Sequence, residues 1–332
     1  MLTVIRLQQN LGPICLVIQK MTSQIFQIVA KDVVFFMVLG MALFFSGVLN
    51  EKRNSLLLRY GIVGFLFPCF IFLNVSSRVN MDNLLSIFFS FFLSSGMILS
   101  AGAVSLLLAK VFRVLPANRS SFLVSASFQN YGFLVYPLVF KTFGPEAMPT
   151  AFAYAIAGDF MIWTFGVFLA NRGKPGSGLS AIEILKKCLN LPTIGFLLGI
   201  LLSPVFYNDP VVIQAGELFY YSIPCALTII GSIIAHALAQ SFSKNGLKES
   251  LWLAGQLLVS RLIIMPWVFY FTGLLLQIKE PVYYIQAMMP ASVGINLLVA
   301  LYGGNRLAVG LFTVASNLLA ALSVPIYWSL WM

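Results

Sequence analysis

Charge is what this sequence has least of. Asp, Glu, Lys and Arg make up 9% of its residues, where a water-soluble domain carries about 25% to cover its surface. Histidine is reduced to His236, too little for a His-based metal site. The four cysteines (Cys15, Cys69, Cys188, Cys225) lie in or beside apolar runs without metal-ligand spacing. No metal or cofactor is expected. Paired carboxylates within one apolar run are missing, as is a Ser motif with a nearby His, which argues against an intramembrane hydrolase. The strand alternation of an outer-membrane barrel is absent as well.

Long apolar runs are there instead, and 60% of the residues are hydrophobic. From about residue 33 onward each run is long enough to cross a hydrocarbon core of about 30 Å. With no barrel pattern, helices must satisfy the backbone in the bilayer. The expected fold is therefore an all-α polytopic membrane protein. Its spans are placed at 33–50, 57–76, 84–110, 121–142, 147–171, 187–206, 216–238, 250–276, 281–302 and 307–331.

The loops after the odd-numbered spans hold thirteen Lys and Arg, from Lys52 to Arg306. Those after the even-numbered spans hold three, Arg78, Lys141 and Lys279. This bias puts the odd loops in the cytoplasm and both termini on the non-cytoplasmic side. It also turns the net charge of +10 into a topology signal rather than a nucleic-acid footprint. Residues 1–32 form an N-terminal extension without assigned role, whose run "LGPICLVI" is short for a span. Residues 173–186, in "NRGKPGSGLSAIEILKK", are read as a cytoplasmic linker between halves at 33–172 and 187–332.

Five spans per half make the second half an inverted copy of the first, if the halves are related. Pro68-Cys69 and Pro224-Cys225 lie 156 residues apart. The endings "VFKTFG" and "LVALYGG" are offset by 159, and Gly158-Asp159 and Ser316-Asn317 by 158. Inverted repeats mark secondary transporters, whose substrate sits near the midplane where discontinuous helices meet. Span four carries "SFQNYGFLVYP", with Gln129 and Asn130 ahead of Gly132 and Pro137. Span nine carries "MMPASVGIN", with Pro290, Ser292, Gly294 and Asn296. Broken helices are expected in both, with Gly132, Pro137, Pro290 and Gly294 permitting the breaks. Free backbone groups there need partners from protein, water or ligand, and a half-helix N-terminus favours an anion. Ser127, Gln129, Asn130, Tyr131, Ser292 and Asn296 are the polar and aromatic residues expected to line such a site.

Two full charges fall deep within spans, Asp159 in span five and Arg261 in span eight, and each is a functional candidate by position. Three readings follow: the two pair with each other, Arg261 binds the substrate carboxylate bidentately, or Asp159 couples transport to protons.

These segments also resemble a known family. "QNYGFLVYPLVFKTFG" resembles the fourth span of the auxin efflux carriers, with Asn, any residue, Gly-Phe-Leu, then a Pro-Leu pair. "VLGMALFFSGVLNEKRN", "LNLPTIGFLLGILLSP" and "MMPASVGINLLVALYGG" resemble the first, sixth and ninth. The resemblance covers about residues 33–331. It implies ten transmembrane helices in two inverted five-helix repeats, with broken helices four and nine crossing near the midplane. It further implies a scaffold of spans one, two, six and seven that supports a homodimer, and an elevator-like movement of the rest. The cargo it implies is a small organic anion, with Asn130 as the position touching it. Many bacterial relatives place an Asn where this chain has Gly294; its Asn296 comes two residues later. The lack of the plant carriers' long loop makes it a short-loop or bacterial type in the cell (inner) membrane. Coupling to H+ or Na+, or uniport driven by the membrane potential, all remain open. A channel or a membrane sensor built on the carrier fold is the alternative.

Overall fold

The computed structural model describes residues 23, 25–171, 180–241 and 247–331, and among them the chain is helical throughout. Among the described residues, seven helices are long and apolar enough to cross a membrane: Ile25–Phe45 (α1), Tyr60–Arg78 (α2), Met81–Val111 (α3), Pro145–Asn171, Pro210–Ile233, Leu247–Leu275 and Arg306–Trp331. An eighth crossing arises if Ile182–Cys188 and Leu191–Phe206, bent by 70° at the junction, count as one. Two further apolar segments are interrupted. The first runs as Arg119–Ser127 (α4), a break, then Val135–Phe143 (α5). The second runs as Pro281–Ala287, a break, then Ile295–Tyr302. Each half has at most nine residues, about 14 Å of helix, so none crosses the core alone.

The remaining helices are α6 (Pro145–Asn171), α7 (Ala181–Cys188), α8 (Leu191–Phe206), α9 (Pro210–Phe219), α10 (Ser222–Ser241) and α11 (Leu247–Leu275). They are followed by α12 (Pro281–Ala287), α13 (Ile295–Tyr302) and α14 (Arg306–Trp331). Local chemistry explains many ends. Asn80 and Asn83 cap α3 reciprocally, and Asn190 caps α8 by accepting from the Thr193 N–H. The glycines of "VFKTFG" and "LVALYGG" do the stopping: Gly144 and Gly303 follow α5 and α13 at φ 82° and 70°, where a side chain would be strained.

Two packing groups emerge. In one, α2 packs on α8 and α9, and α1 packs on α10; in the other, α3 packs on α4 and α6, and α11 on α14. The groups meet where α2 faces α6 and α10 faces α14. Large apolar side chains such as Phe45, Leu85, Leu201 and Leu275 are exposed on the outside, as lipid-facing helices require.

Two expected boundaries move. The first helix is already formed at Ile25, so residues 25–32 belong to it and not to an extension. Gln27, Lys31 and Asp32 masked this by lowering local hydropathy, yet Ile25, Ile28, Val29, Val33 and Met37 form one buried stripe at helical spacing. Residues 1–22 lie outside the described residues. Of the expected linker 173–186, residues 173–179 also lie outside them, while Ser180 and Glu183 form a capping box that starts α7.

Candidate functional site

The two breaks meet face to face. Residues 128–130 lie antiparallel to 290–292, bridged at Gln129 and Ala291. The Asn130 N–H donates to the Pro290 carbonyl at 2.8 Å, and the Ser292 N–H to the Phe128 carbonyl at 3.1 Å. Each break thereby supplies backbone partners for the other, which removes part of the cost of unwinding in oil. Asn317 of α14 completes the joint: its Nδ2 donates to the Ala291 carbonyl at 3.1 Å, and its Oδ1 accepts from Asn130 Nδ2 at 3.2 Å.

A cavity of about 250 Å3 opens beside this crossing. One wall is Asn130, Tyr131, Gly132, Phe133 and Tyr136, and another is Ser292, Val293 and Gly294. Val63, Phe67 and Ile71 close it from the α2 side, Ala155, Ile156 and Asp159 from α6, and Asn190 and Pro192 from the start of α8. The cavity is thus shared between the two packing groups. Its lining is mostly apolar with a few convergent polar groups, the usual make-up of a small-molecule site.

Asp159 is its charged member. The Tyr131 phenol donates to Oδ1 at 3.2 Å and Asn190 Nδ2 to Oδ2 at 3.5 Å. The Tyr131 ring lies against Gly158, where a Cβ would strike it. Gln286 Nε2 donates to the Tyr131 carbonyl at 3.3 Å. Ser292 Oγ accepts from the Gly294 N–H at 3.2 Å, and Asn130 Oδ1 from the Gly132 N–H at 3.4 Å.

Several residues expected in the lining stand elsewhere. Ser127, at the end of α4, donates to the Leu123 carbonyl and contacts Ser105, fully buried. Gln129 is on the opposite face of the crossing, because neighbours in an extended segment point to opposite sides. It is fully buried, and neither amide atom has a hydrogen-bond partner among the described residues. Asn296 is turned toward α14, donating to Thr313 Oγ1 at 3.0 Å and to the Val293 carbonyl at 3.1 Å. Pro137 does not interrupt a helix: it sits in the first turn of α5, where a missing N–H costs nothing.

Arg261 also lies outside the lining, and it does not pair with Asp159. It is fully buried, donates through Nε to the Met289 carbonyl at 3.0 Å, and stacks over Phe269. Its Nη1 and Nη2 have no partner among the described residues. It occupies a wide π-helical turn, Ser260–Ile264. A similar turn, Ile162–Gly166, follows Asp159; such turns recur where a helix is adapted for a task.

Asn190 and Asn317 were not among the residues expected to build the site. The Asn-Leu-Pro start of α8 was a legible cap signal, though not for the direction of the amide. Asn317 stands out in the sequence only as half of the Ser316-Asn317 pair, which assigns it no role.

Residues 25–180, from α1 to the cap of α7, match the model of a family described as membrane transport protein. No curated protein matches the chain.

Proposed function

We propose that the chain, whose residues 25–180 match the membrane transport protein family model, is a member of the auxin efflux carrier family and a secondary transporter of small organic anions. In this reading the cargo occupies the cavity at the crossing. One observation carries the reading most: two interrupted segments, 160 residues apart at Asn130 and Pro290, hydrogen-bond to each other at the wall of a partly polar cavity. Discontinuous helices that meet at a midplane cavity are the hallmark of alternating-access carriers.

The cargo carboxylate would be held by the Asn130 amide and by backbone N–H groups at the start of α5 and α13. Partial positive charge collects at such half-helix starts. The two interrupted segments are read as spans four and nine of ten, in two inverted five-helix repeats. The group of α1, α2, α8, α9 and α10 would be the fixed scaffold and the homodimer contact, with the rest sliding against it as an elevator. Since the cavity is lined from both groups, relative sliding would open it to one side and then the other. The membrane is taken to be the cell (inner) membrane.

The test is counterflow in proteoliposomes with labelled malate, malonate and indole-3-acetate, wild type beside Asn130→Ala. The expected result is saturable exchange of at least one anion, reduced at least tenfold in the variant. Unsaturable flux without counterflow would mark a channel instead. If no anion exchanges while the reconstituted protein is folded, the organic-anion reading is overturned.

A further inference from the structure

The cavity presents an electrical problem for an anion. Among the described residues that line it, the charged side chain is Asp159, and neither Lys nor Arg is present. Asp159 enters no ion pair among those described. The titratable groups that face it are Tyr131 and Tyr136 from the first interrupted segment and Cys188 from the end of α7. The buried guanidinium of Arg261 is engaged at the Met289 carbonyl instead. The Lys187 ammonium stacks over Trp163 at 4.0 Å. A carboxylate entering this cavity therefore meets a second carboxylate away from bulk water. Two carboxylates that share such a site cannot both stay ionised; they share one proton.

We propose that Asp159 is the proton carrier of the transport cycle, so that one cargo anion and one proton occupy the cavity together. This rests on the anion reading above. The balance is simple: Asp159 takes a proton from the loading side and donates it in a hydrogen bond to the cargo carboxylate. On the other side cargo and proton leave, and the carboxylate is restored. The existing partners fit this cycle. Tyr131 belongs to the interrupted segment and Asn190 to the opposite packing group, so the ionised Asp159 ties the two groups together. A proton on Oδ2 removes the negative charge to which Asn190 donates and so weakens a contact that is already long at 3.5 Å. Loading then loosens the tie between the groups that must slide.

The experiment uses the purified full chain with whichever of malate, malonate or indole-3-acetate exchanges in counterflow. Binding is measured from pH 5 to pH 9, and proton movement is followed with a pH dye trapped in proteoliposomes. The expected result for wild type is an affinity that falls about tenfold per pH unit on the alkaline side, with about one proton moved per anion. In Asp159→Asn the binding profile is expected to be flat, whatever its affinity, and proton movement lost. Tyr131→Phe removes a donor to the carboxylate and should shift the midpoint to higher pH, which keeps the idea testable if Asp159→Asn does not fold. A flat wild-type profile with anion exchange intact overturns the proton role and leaves the anion reading standing. An organic ammonium probe such as choline that binds in place of every anion, and needs Asp159, overturns both.

Discussion

Asn317 holds Asn130: the Asn130 amide donates to Asn317 Oδ1 at 3.2 Å, while the Asn317 amide donates to the carbonyls of Ala291 and Thr313. One side chain on a continuous helix thereby fixes both interrupted segments, one through the side chain of Asn130 and one through the backbone of Ala291. All three residues are buried.

Replacing Asn317 by Leu should therefore leave the Ala291 carbonyl and the Asn130 amide short of partners. Each such loss costs about 1–3 kcal/mol. The expected outcome is a lower melting temperature in detergent and a loss of anion affinity at least as large as that of Asn130→Ala. Thermal unfolding beside counterflow rates checks both; unchanged affinity would mean that Asn130 positions itself without Asn317.

Arg261 makes the opposite prediction. A fully buried guanidinium with two nitrogen groups that find no partner among the described residues is expensive to keep. Arg261→Met fills similar volume without the charge and should stabilise the fold, by about 1–4 kcal/mol if it behaves like other buried charge replacements. Transport should fall at the same time, because a costly intramembrane charge is retained for work rather than for packing. A melting temperature that drops in Arg261→Met would instead assign the residue a structural task.

Much of this arrangement was legible in the residues, for identifiable reasons. Gln129-Asn130 followed by Gly132, and Pro290 followed by Gly294, break helical continuity by backbone chemistry alone, so the interruptions could be located from the chain. Which polar residues face the cavity could not. Asn130 and Gln129 are neighbours, yet extended geometry sends one to the cavity and the other behind it. Asn296, one residue inside α13, follows helical geometry toward Thr313. Asp159 and Arg261 both sit in mid-helix, and only tertiary packing decides that they never meet. The start of the first helix was hidden because Lys31 and Asp32 interrupt hydropathy without interrupting the buried stripe.

Glu280 gives a pH dependence outside the membrane segments. It caps α12, accepting from the Val282 N–H at 3.0 Å, and burial pushes its carboxyl up to about 7 from an ordinary 4.5. The folded chain thus holds this proton between pH 4.5 and 7, where the unfolded chain has lost it. Stability from this group is complete below pH 4.5 and is lost as pH rises toward 7, by on the order of 2 kcal/mol for a half-buried site. Heating wild type and Glu280→Gln in detergent at pH 5 and pH 8 checks the sign. Wild type should lose stability at the higher pH, and Glu280→Gln should lose much less.

The contact between α1 and α10 rests on two glycines that admit each other's backbone. A Cβ on Gly40 would collide with the carbonyl of Thr228, and a Cβ on Gly231 with that of Met37. Close approach through small residues is how membrane helices gain contact without a hydrophobic drive. Since the obstructing atoms are backbone, no side chain can rotate away, and the helices must separate. Gly40→Ala and Gly231→Ala should each cost at least the 1–3 kcal/mol typical of overpacking. The double variant should cost less than the sum, because the first separation already makes room for the second methyl. Melting temperatures of the two single variants and the double variant measure this coupling, and full additivity would show that the helices yield at each glycine independently.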